Sequence, residues 1–285
     1  KRMKQIALIL LILILAGCGR ANEPPAGPPT AASDATEALV ATNVPATTGA
    51  EAATARPTDA VTGAVGSAEQ VSFEAADGLL IRGTLLLPLT SGADPGVILL
   101  HMLGDDRTVW GEVGLAADLV AAGYAVLAVD MRGHGETGGA ADWTLAADDL
   151  ARVWDAFVAL DSVDDARTAV IGASIGANMA LRLGVDRPDI RAVVALSPGL
   201  DYRGVTTAEL PAAYGDRPLL LVASEDDAYA ADSVRALAES ATTARVEVYA
   251  TAGHGTNMFA AAPELTPLII GWLDEQLPSP QQRTP

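Results

Sequence analysis

The segment "AVIGASIGANMA" at residues 169–180 contains the pattern G-x-S-x-G, with Ser174 between Gly172 and Gly176. A short apolar run precedes the serine and a helix-like run follows it, which predicts a strand-to-helix turn at Ser174. A strained turn of this kind presents a serine hydroxyl outward and needs small flanking residues. The pentapeptide also arises by chance in a chain rich in Gly and Ala, so its meaning depends on the rest of the sequence.

Short β-rich runs alternate with amphipathic stretches on both sides of this segment. The runs are 96–102, 125–130, 168–174, 192–198, 218–224 and 245–250. Most are apolar throughout, as strands covered on both faces should be. Upstream, residues 71–88 predict two strands joined by a turn at Asp77-Gly78. The alternation favours an α/β fold with a mainly parallel, twisted sheet of about eight strands and helices on both faces. We expect this domain to span residues 69–278.

Three residues with complementary chemistry follow predicted strands. Ser174 ends the strand 168–174, Asp226 follows the strand 218–224, and His254 follows the strand 245–250. Because ligands bind outside the carboxyl ends of parallel strands, these side chains should meet at one edge of the sheet. A serine becomes a nucleophile when an imidazole removes its proton, and a carboxylate holds the imidazole in the correct tautomer. The three residues are therefore a candidate catalytic triad.

The choice of the acid stays open between two neighbouring residues. Asp226 and Asp227 both follow the strand 218–224. The spacing from the strand end favours Asp226 as the partner of His254. Asp227 would then stabilise the start of the next helix through its negative charge.

Several further motifs resemble the α/β-hydrolase superfamily, over residues 69–278. "HMLG" at 101–104 is similar to its H-G-x-G oxyanion loop, and "DMRGHGET" at 130–137 resembles its D-x-R-G-x-G-x-S turn. The order Ser, Asp, His is also that of the superfamily. The resemblance implies that the N–H group of Leu103 stabilises the oxyanion. The N–H group of Ile175, which follows the nucleophile at a helix start, is the second expected donor.

The chain departs from the superfamily pattern at two positions. Met102 stands where the oxyanion loop usually has Gly, so we consider it a candidate substrate contact. The dienelactone-hydrolase branch often has a Cys nucleophile, whereas this chain has Ser174. The architecture therefore resembles a dienelactone-hydrolase-like or serine-aminopeptidase-like branch, and dienelactone chemistry is not expected.

The superfamily's helical caps commonly follow the strand that here ends at Pro198. Nineteen residues separate Pro198 from Pro218. This length excludes a multi-helix cap and predicts an open site that suits small esters or acyl groups on polymers. Tyr202 lies in this interval and is a second candidate substrate contact.

The N-terminus resembles a bacterial lipoprotein signal peptide. Lys1, Arg2 and Lys4 precede an apolar run at 6–16, which is too short to span a bilayer of ~30 Å as a helix. Leu15-Ala16-Gly17-Cys18 is similar to a lipobox, and Cys18 is the only cysteine. We expect residues 1–17 to be the signal peptide and Cys18 to carry the lipid. The protein would then be exported and anchored to the extracytoplasmic face of the cell membrane.

Two segments have the composition of disordered chain. Residues 19–68 contain fifteen Ala, eight Thr and six Pro but no aromatic residue, which favours a tether over 18–68. Residues 279–285 are expected to be a disordered tail.

The net charge of −18, with 36 acidic against 18 basic residues, argues against nucleic acid as a partner. The sequence has no metal-ligand spacing and no nucleotide-binding fingerprint, so we expect no metal and no cofactor.

The leading hypothesis is an envelope-anchored serine hydrolase acting on carboxylic esters. The alternatives are a serine aminopeptidase or amidase of the same fold, and a non-catalytic binding lipoprotein that retains the fold.

Overall fold

The structure, a computed structural model, describes residues 65–90, 92–241 and 243–278. The predicted signal peptide 1–17, Cys18, most of the tether and the tail 279–285 lie outside the described residues. The first strand begins at Val65, four residues before the predicted domain start at Glu69. Its residues Ser67 to Glu74 pair with Leu87 to Leu80, so ladder hydrogen bonds recruit the end of the predicted tether into the sheet.

Two sheets contain all the strands of the described residues. The strands are β1 (Val65–Glu74), β2 (Leu80–Pro88), β3 (Asp94–Leu100), β4 (Ala125–Val129), β5 (Val163–Ala173), β6 (Ala192–Leu196), β7 (Asp201–Tyr202), β8 (Val205–Thr206), β9 (Leu219–Ser224) and β10 (Arg245–Tyr249). The main sheet has eight strands in the order β1-β2-β4-β3-β5-β6-β9-β10, and β7 pairs only with β8. The predicted hairpin at Asp77-Gly78 and the predicted mainly parallel sheet are both confirmed.

Strand direction explains where the site forms. β1 and β2 are antiparallel, whereas β4, β3, β5, β6, β9 and β10 run parallel to one another. β4, β6 and β9 are buried along their whole length, as their continuous apolar sequences require. The carboxyl ends of β5, β9 and β10 therefore lie at the same edge of the sheet, which brings the loops after them together.

Helices cover both faces of the sheet. The helices are α1 (Val109–Glu112), α2 (Leu115–Ala121), α3 (Trp143–Val158), α4 (Ile175–Asp186), α5 (Leu210–Tyr214), α6 (Ala228–Ser240), α7 (Met258–Ala261) and α8 (Leu265–Gln276), with a 3-10 turn at Gly255–Asn257. One apolar core joins the sheet to α3, α4 and α6. A second core joins its other face to α2 and α8. No helix among the described residues is long and apolar enough to cross a membrane.

The interval between β6 and β9 contains a small hairpin and one short helix instead of a cap domain. β7 and β8 are joined by the two residues Arg203 and Gly204, and α5 follows. The predicted absence of a multi-helix cap is confirmed. The hairpin itself was not predicted from the sequence.

Candidate active site

The two glycines of the pentapeptide are required by close backbone contacts. A Cβ atom at Gly172 would lie 2.0 Å from the carbonyl oxygen of Gly176. A Cβ atom at Gly176 would lie 2.3 Å from the carbonyl oxygen of Leu100 and 2.5 Å from that of His101. The backbone at Gly172 therefore contacts the start of α4, and the backbone at Gly176 contacts the end of β3. A side chain at either position would collide with these backbone atoms.

Ser174 occupies the strained position between these glycines. Its backbone has φ 55° and ψ −119°, a region that non-glycine residues rarely adopt, and its N–H donates to the Leu196 carbonyl at 2.8 Å. The carbonyl of Ser174 accepts from the N–H groups of Ala177 and Asn178, so the residue is fixed at the start of α4. The predicted strand-to-helix turn is confirmed, and it has the geometry of a nucleophile elbow.

His254 is paired with Asp227. The distance between His254 Nδ1 and Asp227 Oδ2 is 2.5 Å. The other oxygen, Oδ1, accepts from the N–H of Ala230 and caps helix α6. Because Nδ1 must donate to this carboxylate, Nε2 of the neutral imidazole is the nitrogen left free to accept a proton.

The prediction that Asp226 holds the histidine is wrong in this geometry. Asp226 accepts instead from the Ser224 hydroxyl and from the backbone N–H of Gly253 at 3.1 Å. Both bonds hold the pKa of the Asp226 carboxyl below its ordinary value, the Ser224 hydroxyl having the larger effect. The turn after β9 directs the first aspartate toward the loop backbone and the second toward the imidazole. Asp226 thus positions the loop that carries His254.

The predicted oxyanion donors are the backbone N–H groups of Ile175 and Leu103. Ile175 is the first residue of α4, where an N–H group has no intrahelical acceptor. Leu103 lies in the loop after β3, and no hydrogen bond to its N–H is found among the described residues. A carbonyl oxygen placed between them would be polarised by both groups.

His101 orients the peptide that carries the Leu103 N–H. Its Nδ1 lies 2.8 Å from the Met102 carbonyl oxygen, and its Nε2 accepts from the N–H of Met131 at 3.1 Å. The second bond fixes the tautomer, so Nδ1 is the donor to the carbonyl. Since carbonyl and N–H point in opposite directions across a trans peptide, the Leu103 N–H faces away from His101. Burial lowers the pKa of the His101 imidazole, which keeps this donor-acceptor arrangement neutral.

The Met102 thioether packs under the histidine loop. Its sulfur lies 3.5 Å from the Thr256 hydroxyl oxygen, and a Cβ atom at Gly255 would lie 2.9 Å from it. The Gly255 N–H in turn donates to the Ser197 hydroxyl at 2.9 Å. Met102 therefore contacts the residues that follow His254, which explains how the oxyanion loop accommodates a larger residue than Gly.

Tyr202 lies between the nucleophile and the histidine. Its hydroxyl donates to the Ser197 carbonyl at 3.4 Å and lies near Ser174, and its ring meets the His254 ring edge-on with centroids 6.2 Å apart. A second edge-on contact, to Tyr229 at 5.6 Å, fixes the ring from the other side. Burial raises the pKa of the Tyr202 hydroxyl, so it remains a proton donor at neutral pH. The structure thus places this candidate substrate contact at the site.

Some residues that shape the site carry no recognisable sequence signal. The Asn178 amide donates to the Val205 carbonyl at 2.7 Å and accepts from the Gly199 N–H at 3.0 Å, which attaches the β7–β8 hairpin to α4. The Tyr229 hydroxyl bonds the backbone of Asp201 from the opposite side. Asn178 is fully buried in a helix that is buried on nearly all sides, and nothing in the sequence around it indicates this. Among the described residues no group of three or more His, Cys, Asp or Glu side chains could hold a metal ion.

Comparison with known proteins agrees with this fold. Residues 93–215 match the family described as serine aminopeptidase, S33. This match includes Ser174 and the oxyanion loop but ends before Asp227 and His254. An uncharacterized protein of Mycobacterium tuberculosis, found in two strains, is 31% identical over 159 residues, which is 55% of each chain. The chain thus spans about half the length of the curated relatives it matches.

Solved structures match over a larger part of the chain at low identity. An esterase of Pyrococcus furiosus is 21% identical with a TM-score of 0.63, and covers 74% of this chain and 93% of its own. An acetyl xylan esterase from Paenibacillus sp. R4 is 17% identical with a TM-score of 0.64, and covers 73% and 83%. These likenesses show that the chain has the α/β-hydrolase fold, and together with the family match they support a hydrolase of this superfamily.

Proposed function

We propose that the protein is a serine hydrolase that cleaves carboxylic esters through an acyl-enzyme. The observation that carries the proposal is the pairing of His254 with Asp227 beside a strained, glycine-flanked Ser174. Ser174 combines positive φ with the glycine-flanked turn at the start of α4, and the half-buried His254 is paired with a carboxylate, as a nucleophile and its base require. The α/β-hydrolase fold and the esterases among its structural neighbours support the same chemistry.

The proposed reaction gives each of these groups one role. His254 Nε2 takes the proton of Ser174 while the serine oxygen forms a bond to the ester carbonyl carbon. The N–H groups of Leu103 and Ile175 stabilise the oxyanion. The imidazolium then protonates the departing alkoxide, which leaves the acyl group on Ser174. A water molecule, deprotonated by His254, attacks the acyl carbon. The serine ester then breaks, His254 returns the proton to the Ser174 oxygen, and the carboxylic acid leaves.

The nucleophile is tested by labelling with a fluorophosphonate probe. We expect wild type to be labelled and Ser174→Ala not to be, because the probe bonds only an activated serine oxygen. Ser240→Ala, which removes an exposed hydroxyl at the end of α6, is the matched control and should label like wild type. Equal labelling of Ser174→Ala and wild type would refute the assignment.

Amide cleavage is the second candidate activity, favoured by the family match to serine aminopeptidases. The same triad and oxyanion donors serve both reactions, since both pass through a tetrahedral intermediate. A panel of esters and aminoacyl or peptidyl amides with identical acyl groups separates the two. Our proposal predicts that kcat/KM divided by the uncatalysed rate constant is higher for each ester than for the amide with the same acyl group. A non-catalytic binding role would show as stable ligand binding without turnover or labelling.

We also propose that the protein is lipid-anchored through Cys18. The basic start, the short apolar run and Leu15-Ala16-Gly17-Cys18 support this proposal. In the full chain expressed in a bacterium, Cys18→Ser should abolish incorporation of labelled fatty acid and release the protein from membranes. Incorporation of the label into Cys18→Ser, or membrane retention unchanged by the substitution, would contradict it.

A further inference from the structure

A groove of about 480 Å³ lies between the β7–β8 hairpin and helices α3 and α4. This volume is within the range of about 300–1,000 Å³ that small-molecule sites occupy. Met179, which lines the groove, is five residues after Ser174, or about 7.5 Å along the axis of α4. The hairpin links the groove to the site, because the Tyr202 ring contacts the His254 ring and the next residue, Arg203, lines the groove.

Arg203 occupies a position that disfavours its side chain. Tyr202 pairs with Val205, so Arg203 and Gly204 form a two-residue hairpin loop, with φ values of 54° and 84°. Positive φ at both positions is the pattern of a type I′ turn, whose first position favours Asn, Asp or Gly. Asn178 and Tyr229 hold the hairpin from two sides, so the strain is maintained by its surroundings. An arginine at this strained position is more consistent with a use for its guanidinium than with turn stability.

The groove carries unpaired groups of both charges. Within the described residues, neither the Arg203 guanidinium nor the Asp148 carboxylate makes a hydrogen bond or ion pair. The other two charged residues of the lining are engaged, since Arg182 pairs with Asp186 at 2.7 Å and Asp142 caps the N–H groups of α3. A purely anionic ligand would be repelled by Asp148 and would find the N–H groups at the start of α3 already bonded to Asp142. A cation would be repelled by Arg203. A hydroxyl group suits both, because it donates to a carboxylate and accepts from a guanidinium.

An aromatic ring completes the lining. Trp143 is half-buried, and one side of its ring packs against His134 with centroids 5.7 Å apart. The rest of the side chain lines the groove beside Asp148. An apolar ring next to hydrogen-bonding groups suits a ligand whose flat face consists of C–H groups and whose rim consists of hydroxyls.

We propose that this groove binds a saccharide, the hydroxyl-rich alcohol part of the ester substrate, with Trp143 against a sugar ring and Arg203 and Asp148 on its hydroxyls. The inference that this sugar belongs to the substrate rests on the esterase function proposed above. Binding of the sugar itself does not, so the two claims are tested separately.

The first experiment measures binding without catalysis. The full chain carrying Ser174→Ala is titrated with neutral xylo-, cello- and chito-oligosaccharides, followed by tryptophan fluorescence and calorimetry. Trp110, Trp154 and Trp272 are buried, so a saturable fluorescence change reports on Trp143. We expect saturable binding of at least one saccharide, and loss of the fluorescence change in Trp143→Phe.

Variants then identify the groups that bind. Arg203→Asn should weaken saccharide binding about tenfold, because a hydrogen bond to a charged group is lost. The same change should raise the melting temperature, because Asn adopts positive φ with less backbone strain than Arg. Weaker binding by this variant could then not be ascribed to misfolding. The matched control is Arg152→Asn, which removes another unpaired, exposed arginine outside the groove and should leave binding unchanged. No saturable saccharide binding, or equal binding by Arg203→Asn, would overturn the proposal. Arg203-dependent binding of citrate or tripolyphosphate in place of saccharides would reassign the groove to anions.

The second experiment uses catalysis. The ratio of kcat/KM for an acetylated methyl glycoside to that for 4-nitrophenyl acetate should fall about tenfold in Arg203→Asn and stay constant in Arg152→Asn. Saccharide binding without turnover of either ester would refute the esterase function and leave the groove supported. Ester turnover with an unchanged ratio would refute the groove as a substrate site and leave the esterase function supported.

Discussion

Asp227 uses both oxygens of one carboxylate, one to cap helix α6 and the other to hold His254. The capped helix start in turn fixes the direction of the carboxylate. Asp226, one residue earlier, holds the loop through the Gly253 N–H. Two adjacent aspartates thus have separate tasks, one toward the imidazole and one toward the backbone that carries it.

This division predicts unequal effects of two isosteric substitutions. Asp227→Asn should lower kcat by about 10⁴-fold, because an amide cannot hold the imidazole in the tautomer that leaves Nε2 free. Asp226→Asn should lower it by about tenfold or less, because its amide oxygen can still accept from the Gly253 N–H. Steady-state kinetics on one ester, with melting temperatures for both variants, checks the difference. A larger loss in Asp226→Asn would reverse the assignment.

The residue-level predictions succeeded where a local pattern determined the geometry. Ser174 could be placed because its two glycines, the strand before it and the helix after it all lie in one short segment. The choice between Asp226 and Asp227 failed because both follow the same strand end. Only the path of the turn and the position of the loop after β10, which is remote in sequence, distinguish them.

At the scale of elements, the site depends on how closely α4 approaches β3. The absence of a side chain at Gly176 lets the helix start touch the carbonyl groups of Leu100 and His101. The same contact sets the distance between the nucleophile and the oxyanion loop, because that loop follows β3. The contact between the start of α4 and the end of β3 therefore determines both how the helix packs on the sheet and where the oxyanion loop lies relative to Ser174.

Gly176→Ala should both destabilise the protein and impair the oxyanion site. The added methyl group must displace backbone atoms, which costs about 1–3 kcal/mol of unfolding free energy. Gly271→Ala is the matched control: it lies within α8 with nothing within 4 Å of its Cβ position, and should stabilise by about 0.5–1 kcal/mol. Urea unfolding and ester kinetics on both variants provide the measurement. A Gly176→Ala variant as stable and active as wild type would show that the elbow tolerates a side chain.

The β7–β8 hairpin shows why some elements escape sequence analysis. Its strands have two residues each, too few for any periodicity, and its position depends on Asn178 and Tyr229 from distant helices. The long strands and helices, by contrast, could be predicted from apolar runs and from the turn at Asp77-Gly78. The long strands and helices that form the core could therefore be predicted from the sequence, whereas the small hairpin that shapes the site could not.

At the scale of the whole molecule, a neutral histidine is buried in an acidic protein with net charge −18. His101 is fully buried between the end of β3 and the loop after β4, and its ring lies 5.0 Å from that of His134. Burial is the main cause of its lowered pKa, which nearby His134 lowers further and the Met102 carbonyl and Asp130 partly oppose. The folded state therefore favours the unprotonated form of the His101 imidazole.

Stability should accordingly fall as the pH drops below the ordinary histidine pKa of 6.5. In that range the unfolded chain binds a proton at this residue and the folded chain does not, so protonation favours unfolding. Above that pH the contribution of His101 is fully present. Urea unfolding between pH 7.5 and 5.0 measures the slope. His101→Gln, although less stable overall, should show a smaller slope over this range, and an identical slope would exclude His101 as its source.

The order of the proposed catalytic residues along the chain has a consequence for synthesis. Ser174 is made first and lies in the middle of the sheet, whereas Asp227 and His254 follow β9 and β10, the last two strands of the sheet order. A nascent chain that ends before β9 can form the elbow but has neither the acid nor the base. In the proposed mechanism, Ser174 therefore has no base until the final edge of the sheet is added, and hydrolysis requires a nearly complete domain.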